Sequence, residues 1–299
     1  MKKPTKTSSF GSKGREGHDS SKFYDSKLYD NKTKSQIEYP KNIIKKSVLN
    51  KIYNSSSENM KELPDNSIDL MITSPPYNVG KDYDEDLSLE DYLKFIKNVM
   101  SEVYRTLVFG GRACLNITNV GRKPYIPYSA YFATLMIDLG FLMRGEIIWD
   151  KSASAGTSTA WGSWQSASNP TLRDVHEYIL VFSKDSFSKN KKDKINTISK
   201  ENFLINTKSI WKFPTASAKR IKHPAPFPLE LPINCMELYS FENDIVLDPF
   251  IGSGQTAIAA LKTNRQYVGY EISSDYCDLA NTRINKYLSQ SSLDEYNSK

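Results

Sequence analysis

Short apolar runs alternate with amphipathic helical patterns from residue 51 to residue 288, and this alternation constrains the fold more than any other feature of the sequence. Runs typical of strands occur at residues 51–54, 68–73, 113–118, 146–149, 177–182, 244–247 and 267–271. Apolar spacing typical of helices occurs at residues 89–107, 128–138, 229–239, 255–262 and 275–288. The alternation predicts an α/β fold with a mostly parallel sheet that is covered by helices on both faces.

The composition is that of a globular chain with a modest excess of basic residues. The 299 residues include 40 Lys and Arg against 34 Asp and Glu, a net charge of +6, which is compatible with a polyanionic partner without requiring one. No stretch approaches the roughly 20 apolar residues of a membrane span, and the Lys- and Ser-rich start lacks the apolar centre of a signal peptide, so we expect a cytoplasmic protein. The cysteines form no C-x-x-C pair and are interpreted as structural thiols: Cys114, Cys235 and Cys277.

Four segments depart from the alternation. Residues 1–40 are polar and basic without apolar periodicity, which predicts a flexible tail, and residues 291–299 are expected to form a second tail. Residues 151–176 are rich in small polar side chains, and residues 184–222 contain a lysine cluster. Because long insertions in a compact α/β domain are more often functional than idle, we expect the last two segments to bind a ligand or partner.

The hexapeptide TSPPYN, residues 73–78, directly follows the apolar run at residues 68–72. Proline cannot donate to the hydrogen-bond ladder of a central strand, so Pro75 and Pro76 end the strand and fix the backbone that follows. Rigid backbone is useful where side chains must keep one arrangement. Residues 74–77 are therefore a candidate site.

A second candidate site lies in DIVLDPFIGSGQTAIAALKTNRQYVGYEIS, residues 244–273. Gly252 and Gly254 let the backbone approach a ligand, and Glu271 at the end of the next strand can accept hydrogen bonds from two ribose hydroxyls. Ala257 stands where a dinucleotide-binding fold has its third glycine, and the G-K-[ST] of a triphosphate site is absent. The segment therefore predicts a site for a nucleoside without a pyrophosphate, and S-adenosyl-methionine is the best candidate.

The two segments together resemble the motifs of the DNA amino-methyltransferases, which transfer a methyl group from S-adenosyl-methionine to an exocyclic base nitrogen. The family's catalytic motif, [D/N/S]-P-P-[Y/F/W], is similar to residues 74–77, and its cofactor motif, F-x-G-x-G, is similar to residues 250–254. The catalytic motif comes first, an order that resembles the circularly permuted β class. The landmarks KIYN, LPDNSIDLMI, HEYILVFSK and HPAPFPLELP extend the resemblance to about residues 50–288.

The resemblance implies a Rossmann-like, S-adenosyl-methionine-dependent methyltransferase fold, with a mostly parallel seven-stranded sheet that is circularly permuted and carries an inserted target-recognition region. The implied methyltransferase domain spans residues 41–290 and consists of a catalytic half (50–183), a cofactor half (223–288) and target-recognition insertions at about 151–176 and 184–222. Family members often have Gly-Asp where this sequence has Asn54-Ser55. That departure puts an acidic contact near the adenine or the target base in doubt.

The resemblance also implies roles for individual residues. Ser74 Oγ and the Pro75 carbonyl would hold the amino group of a flipped base beside Pro76, and the ring of Tyr77 would stack on that base. Serine at the first motif position is typical of enzymes that act on N4 of cytosine, so cytosine is favoured and N6 of adenine is the alternative. The implied cofactor-binding residues are Asp248, Phe250, Gly252, Ser253, Gly254, Thr256 and Glu271.

Double-stranded DNA is the implied partner, and neither a metal nor a membrane is expected. DNA phosphates and base edges would contact residues of the two insertions, namely Lys151, Trp161, Trp164, Arg173, Lys191 and Lys192. His223 is interpreted as structural or cofactor-adjacent. Methylation of RNA or of a protein amide, and non-catalytic nucleic-acid binding, stay open as other functions. The resemblance implies a cytoplasmic, prokaryotic and DNA-associated enzyme. A cognate restriction endonuclease, and the choice between a monomer and a homodimer, also stay open.

Overall fold

A computed structural model describes residues 6–7, 15–16, 27, 38–78, 87–152 and 162–297 of the chain. It contains two compact units, Met1–Glu38 and Tyr39–Lys299. In the first unit, Lys6–Thr7 pairs antiparallel with Arg15–Glu16, and most of the predicted tail at residues 1–40 lies outside the described residues. The second unit contains the α/β fold.

An eight-stranded sheet forms the centre of the second unit. Its strands in chain order are β1 (Lys51–Asn54), β2 (Ile68–Thr73), β3 (Leu107–Ile117), β4 (Phe141–Asp150), β5 (His176–Lys184), β6 (Ile210–Lys212), β7 (Ile245–Asp248) and β8 (Gln266–Glu271). Their spatial order is β6-β4-β5-β3-β2-β7-β8-β1, and β5 is antiparallel to both of its neighbours while the other pairs are parallel. The mostly parallel sheet is confirmed, with β6 added to the seven strands expected.

The described helices are α1 (Leu89–Thr106), α2 (Tyr128–Asp138), α3 (Lys200–Asn206), α4 (Ala218–Ile221), α5 (Glu230–Tyr239), α6 (Gln255–Lys262) and α7 (Ser274–Asn297). Most of the predicted tail at residues 291–299 is helical, because α7 continues to Asn297. The second insertion, residues 184–222, which departs from the alternation in sequence, contains α3, β6 and α4.

The apolar core lies on both faces of the sheet. Side-chain alternation along β2 sends Met71 to one face, and Leu70 and Ile72 to the other. Residues of α1 and α2 pack on the first face, and residues of α5 and α6 pack on the second. Strands that are buried on both faces need this two-sided covering, which is why their sequences are nearly continuous apolar runs.

The middle and one side of the sheet join segments that are distant in sequence. β7 inserts between β2 and β8, and β1 pairs with β8 at the end of the sheet. Asn54 and Glu271, which face each other in that last pair, are 217 residues apart. The two predicted motifs consequently leave neighbouring parallel strands, β2 and β7, at the same edge.

The three cysteines are buried free thiols, consistent with a structural role: Cys114, Cys235 and Cys277. Within the described part of the chain, no helix combines the length and the apolar character needed to cross a bilayer.

Candidate active site

A cavity of about 300 Å³, here called the catalytic cavity, opens where the loops after β2 and β7 lie side by side. This is the carboxyl edge of the sheet, the edge at which parallel strands end and at which α/β folds bind ligands. The predicted site residues in its wall are Ser74, Pro75, Pro76, Tyr77, Phe250, Gly252 and Glu271. The two sequence motifs therefore share one cavity.

The catalytic loop, residues 74–78, is anchored by hydrogen bonds to α1 and to the segment before it. Tyr92 on α1 donates its hydroxyl to the Pro76 carbonyl at 2.6 Å. Asn78 donates to the carbonyl of Leu87 at 2.6 Å and accepts from the Leu87 N–H at 3.0 Å. The hydroxyl oxygens of Ser74 and Tyr77 lie 2.8 Å apart. The loop thus presents a pair of hydroxyl groups on a restrained backbone.

A polar network lies next to this hydroxyl pair. The Glu177 carboxylate at the start of β5 accepts from Asn116 Nδ2 at 2.7 Å and from the Tyr77 hydroxyl at 3.5 Å, and its other oxygen pairs with Lys151 Nζ at 3.0 Å. Asn116 is 2 % exposed, and its Oδ1 has no hydrogen-bond partner among the described residues. Ser74 and Tyr77 are thus connected through hydrogen bonds to the Glu177 carboxylate, which lies outside the wall of the catalytic cavity.

Sequence reasoning missed Asn116 and Glu177 as site residues. Each had one signal: Asn116 is a lone amide within the apolar part of β3, and Glu177 directly precedes the apolar stretch of β5. Lys151 had been predicted to contact DNA. Its ammonium group instead pairs with Glu177, and the two side chains are only 16 % and 14 % exposed. A contact of Lys151 with DNA stays a prediction, and such a contact would compete with this ion pair.

Asp248, predicted to bind the cofactor, is 1 % exposed and is not in the cavity wall. Its carboxylate accepts hydrogen bonds from Thr73 Oγ1 at 2.6 Å, from Thr256 Oγ1 at 2.5 Å and from the Phe250 N–H at 3.0 Å. Burial raises the pKa of Asp248 to about 6, and these hydrogen bonds oppose the rise. Asp248 therefore fastens β2 to α6, and Thr256 and Ser253 are buried with it outside the wall.

The backbone of the second motif reaches the cavity together with Glu271. The N–H groups of Gly252 and Ser273 donate to the Glu271 carboxylate at 3.0 and 2.9 Å, and burial raises the pKa of this carboxyl group. A Cβ atom at Gly252 would lie 2.9 Å from His223 Nε2, and its φ of +49° is left-handed. A side chain there would displace His223 and strain the backbone, so glycine is favoured. Gly254, at φ +78°, is the N-cap residue of α6 and lies outside the wall.

His223 also lines the cavity, with its ring packed 4.7 Å from that of Tyr276 between centroids. Burial, and then the charge of Arg283, lowers the pKa of His223 to about 4. The imidazole is therefore neutral at pH 7. This agrees with its interpretation as a cofactor-adjacent side chain.

The segment after β1 forms the wall beside Glu271. Asn54 Nδ2 donates to the carbonyls of Glu271 and Ile272, both at 2.9 Å, and ties β1 to the end of β8. Ser55 and Glu58 line the cavity. An acidic group is thus present in this wall at Glu58, although the sequence has Asn54-Ser55 where family members often have Gly-Asp.

The first insertion leaves the sheet beside the catalytic cavity. β4 ends at Asp150 on the carboxyl edge, and antiparallel β5 begins at His176 on the same edge. Trp164, which is 65 % exposed, and Arg173 are exposed on the connection between them. Trp161 lies outside the described residues.

The lysine cluster of the second insertion lies at the opposite, amino edge. Lys189 and Lys194 pair with the two oxygens of Asp244 at 2.7 and 2.9 Å, immediately before β7 begins. The length of β7, about 13 Å for a four-residue strand, separates this position from the catalytic cavity. Lys191 and Lys192 are exposed between the two paired lysines. Their predicted contact with DNA would therefore lie at the amino edge, away from the catalytic cavity.

Comparison with known proteins agrees with this geometry. The sequence profile of the family described as DNA methylase matches residues 68–282. Type II methyltransferase M.ScaI of Streptomyces caespitosus is 33 % identical over 236 residues, which are 71 % of this chain and 73 % of that protein. Type II methyltransferase M.MjaVI of Methanocaldococcus jannaschii is 39 % identical over 154 residues, which are 50 % of this chain and 78 % of that protein.

Solved structures show the same fold. A candidate DNA modification methylase of Thermus thermophilus, in complex with S-adenosyl-L-methionine, superimposes with a TM-score of 0.64 at 28 % identity and covers 79 % of this chain and 93 % of its own. PvuII DNA methyltransferase, described as cytosine-N4-specific, superimposes with a TM-score of 0.63 at 19 % identity and covers 78 % of this chain and 85 % of its own.

Proposed function

The chain belongs to the DNA methylase family, and we propose that it methylates the exocyclic amino nitrogen of a base flipped out of double-stranded DNA, with N4 of cytosine as the target. The observation that carries the proposal is the hydroxyl pair of Ser74 and Tyr77 in the same cavity wall as Gly252 and Glu271. One cavity thus combines groups suited to a base with groups suited to a nucleoside cofactor.

The catalytic loop supplies acceptors for the target amino group. An exocyclic amino nitrogen is a weak nucleophile because its lone pair is delocalised into the base ring, and acceptors that hold its N–H groups localise that lone pair. Ser74 Oγ retains acceptor capacity beside its hydrogen bond to Tyr77, and the Pro75 carbonyl is the second acceptor in our proposal. The hydrogen bond from Tyr92 to the next carbonyl, that of Pro76, restrains this backbone.

The ring of Tyr77 supplies a stacking surface. The target nitrogen is inaccessible within a duplex, and taking a base out of the stack costs a few kcal/mol. Stacking on an aromatic ring offsets part of that cost. The hydroxyl of Tyr77 is held by Ser74 and Glu177, so the ring is oriented before a base arrives.

S-adenosyl-methionine, the cofactor of this family, fits the other part of the wall. When bound, it supplies an electrophilic methyl group on a sulfonium centre. The Glu271 carboxylate would accept hydrogen bonds from the ribose hydroxyls, and Gly252 leaves room for close approach of the ligand. Phe250, Ile272 and Tyr276 provide apolar wall area for the adenine.

The choice of cytosine rests on Ser74. A neutral hydroxyl and a charged carboxylate both accept hydrogen bonds, so the chemistry itself permits adenine. Serine at this position of the motif is typical of enzymes that act on cytosine N4, and this favours cytosine.

The test is to incubate the protein with S-adenosyl-methionine and mixed-sequence duplex DNA, then to identify the modified nucleoside by mass spectrometry. We expect N4-methylcytosine, and far less of it with the Ser74→Ala variant. N6-methyladenine alone would overturn the choice of base. No modified nucleoside in DNA of any sequence, or modification of a parallel RNA sample only, would overturn the proposed function.

Trp164 and Arg173 are proposed DNA contacts. Their connection leaves the carboxyl edge, on which the catalytic cavity opens, so a duplex at this edge would meet exposed groups of the first insertion. An aromatic ring and a guanidinium group suit base edges and phosphates, respectively. Loss of duplex affinity in Arg173→Gln, with unchanged affinity for S-adenosyl-methionine, would support this assignment; equal duplex affinity would contradict it.

A further inference from the structure

A second cavity, of about 840 Å³, lies against the sheet near its amino edge, and we call it the basic cavity. It is bounded by β3, β4 and β5, by the end of α5 and by residues of the second insertion. Its charged lining residues are Arg112, Arg144, Lys189, Lys191, Lys208, Glu146 and Glu237. The volume is within the range of small-molecule sites, roughly 300–1,000 Å³.

Two arginines share one acceptor in this cavity. Arg112 on β3 and Arg144 on β4 both donate to the carbonyl oxygen of Phe187, at 2.8 and 2.7 Å. Arg112 is 7 % exposed, and its other recorded hydrogen bond is to the Gly110 carbonyl. Neither guanidinium forms an ion pair with a described carboxylate. Two adjacent positive charges in a partly desolvated site are costly without an anion.

The other charged groups of the basic cavity do not remove this excess. The carboxylate of Glu237 pairs with Arg265 at 3.6 Å. Glu146 is exposed and forms no ion pair within the described chain. Lys191 and Lys208 add exposed ammonium groups to the wall. The cavity therefore retains an excess of positive charge around the arginine pair.

We propose that the basic cavity is a binding site for a phosphate-bearing anion, held jointly by Arg112 and Arg144. A planar guanidinium group can donate two parallel hydrogen bonds to phosphate oxygens, and two such groups can hold one phosphate from different sides. Tyr239 at the end of α5 lines the same cavity. Burial raises the pKa of Tyr239, so its hydroxyl stays protonated and can donate a further hydrogen bond.

An anion would also relieve the repulsion between the two charges. Burial, and then the neighbouring Arg144, lowers the pKa of Arg112 to about 10. A bound phosphate opposes both effects. Its negative charge compensates the buried charge of Arg112 and offsets the repulsion from Arg144. The site is thus one that an anion stabilises in the folded chain, through mass action on the native state.

Two sources supply this chemistry, a small phosphate compound and the backbone of a DNA duplex. The catalytic cavity lies at the other edge of the sheet, so a duplex held there does not fill the basic cavity. The source we expect is a small phosphate compound. The experiment below distinguishes the two.

The test is calorimetric titration of the full chain with inorganic phosphate at constant ionic strength, with chloride as the replaced anion. We expect the wild type to bind phosphate and Arg144→Gln to bind at least tenfold more weakly. Arg144 is exposed, so this variant should fold normally. The matched control is Lys192→Gln, an exposed cation outside the basic cavity, which should bind as the wild type does. No binding by the wild type at millimolar phosphate, or equal binding by Arg144→Gln, would overturn the proposal.

A second variant tests the buried charge. Arg112→Met should raise the melting temperature in phosphate-free buffer, because it removes an uncompensated charge, and should abolish the rise in melting temperature that phosphate produces in the wild type. A phosphate-dependent rise that survives this substitution would contradict the site. In a parallel titration, a 20-base-pair duplex that displaces phosphate, and binds more weakly to Arg144→Gln, would identify the DNA backbone as the source.

Discussion

Asp244 and Asp248 lie at the two ends of β7, and both carboxylates are buried. At the amino edge, burial acts to raise the pKa of Asp244, but the ammonium groups of Lys189 and Lys194 outweigh it and the pKa is lowered. At the carboxyl edge, Asp248 receives hydrogen bonds from hydroxyls and a backbone N–H instead, and burial raises its pKa to about 6. The carboxylate at the amino edge is thus neutralised by two ammonium groups, whereas the carboxylate at the carboxyl edge has only uncharged hydrogen-bond donors.

This difference gives the two edges opposite electrostatic character. At the carboxyl edge, Asp248 and Glu271 form no ion pair within the described chain, which suits a cofactor that carries a sulfonium cation. Near the amino edge, Arg112 and Arg144 are without a carboxylate partner among the described residues, which suits an anion. Ion pairs that hold the fold together, such as those of Asp244, are concentrated at the amino edge. The two edges can therefore be perturbed separately.

The largest expected effect is on stability, from Asp244→Asn. Removing one partner of a buried ion pair costs about 3 to 5 kcal/mol of unfolding free energy, because Lys189 is left without its close carboxylate. Urea unfolding at pH 7 measures the loss, and methylation per folded molecule should be unchanged. The lowered pKa means that the stabilisation is present at neutral pH and disappears as the pH falls below about 4.

The matched control for this prediction is Asp193→Asn in the same loop. Asp193 is exposed, so the substitution should change the unfolding free energy by less than about 0.5 kcal/mol. Equal losses of unfolding free energy in the two variants would show that the ion pair of Asp244 does not stabilise the fold.

The next effect is on activity at the carboxyl edge. Ser74→Ala should lower the turnover rate by about 10²- to 10³-fold, equivalent to about 3 to 4 kcal/mol, because an acceptor placed for the reacting nitrogen is lost. Tyr77→Ala should lower it similarly through lost stacking. Calorimetry should find unchanged affinity for S-adenosyl-methionine in both variants, and urea unfolding should find a loss of stability only in Tyr77→Ala, whose ring packs against the core. Full turnover in either variant would contradict the assigned role of its residue.

Asp248→Asn should produce a pH effect of sign opposite to that of Asp244→Asn. The folded chain holds the Asp248 proton up to about pH 6, whereas an unfolded Asp loses it near pH 4, so the folded state binds more protons between these values. The unfolding free energy of the wild type, relative to that of the variant, should therefore fall by about 3 kcal/mol as the pH rises from about 4 to 6. Thermal unfolding across this range measures it, and a flat difference would refute the raised pKa.

The smallest effect concerns the cofactor. Gly252→Ala should weaken binding of S-adenosyl-methionine by about tenfold, or about 1.4 kcal/mol, because its Cβ meets His223 at 2.9 Å and the left-handed φ disfavours alanine. The double variant with His223→Ala relieves the contact but not the backbone conformation. If His223 itself contributes little to cofactor affinity, calorimetry should show that the double variant recovers part of the lost affinity. No recovery would assign the whole loss to the backbone conformation.

Much of the fold could be predicted because its elements carry local signals. Tyr128–Asp138 and Gln255–Lys262 have the limits that apolar spacing predicted. β3 was expected to begin at residue 113, yet it begins at Leu107, because Gly110 and Gly111 resemble a turn in sequence while Gly110 at φ +68° stays within the strand. β6 was missed because three residues have too little periodicity, and its pairing with β4 is set by the tertiary structure.

The candidate site was predictable only where a short motif fixes the local backbone. Contacts between side chains that are distant in sequence could not be predicted in this way. Asn116 donates a hydrogen bond to Glu177, 61 residues away, and Lys189 donates one to Asp244, 55 residues away. The burial of Asp248 likewise depends on how α6 packs against β2. These separations explain why the sequence did not reveal the ion pairs of Lys151 with Glu177 and of Lys189 with Asp244.

The pairing of β1 with β8 has a consequence for how the chain is made. β7 and β8 lie between β2 and β1 in the sheet. During synthesis, β2, which precedes the catalytic loop, is therefore made long before its neighbour β7. Contacts between residues as far apart as Asn54 and Glu271 slow folding, and until they form, the edge of β2 stays open to pairing with other chains. We therefore expect the catalytic cavity, which needs residues that follow β7 and β8, to be complete only after β8 has been synthesised.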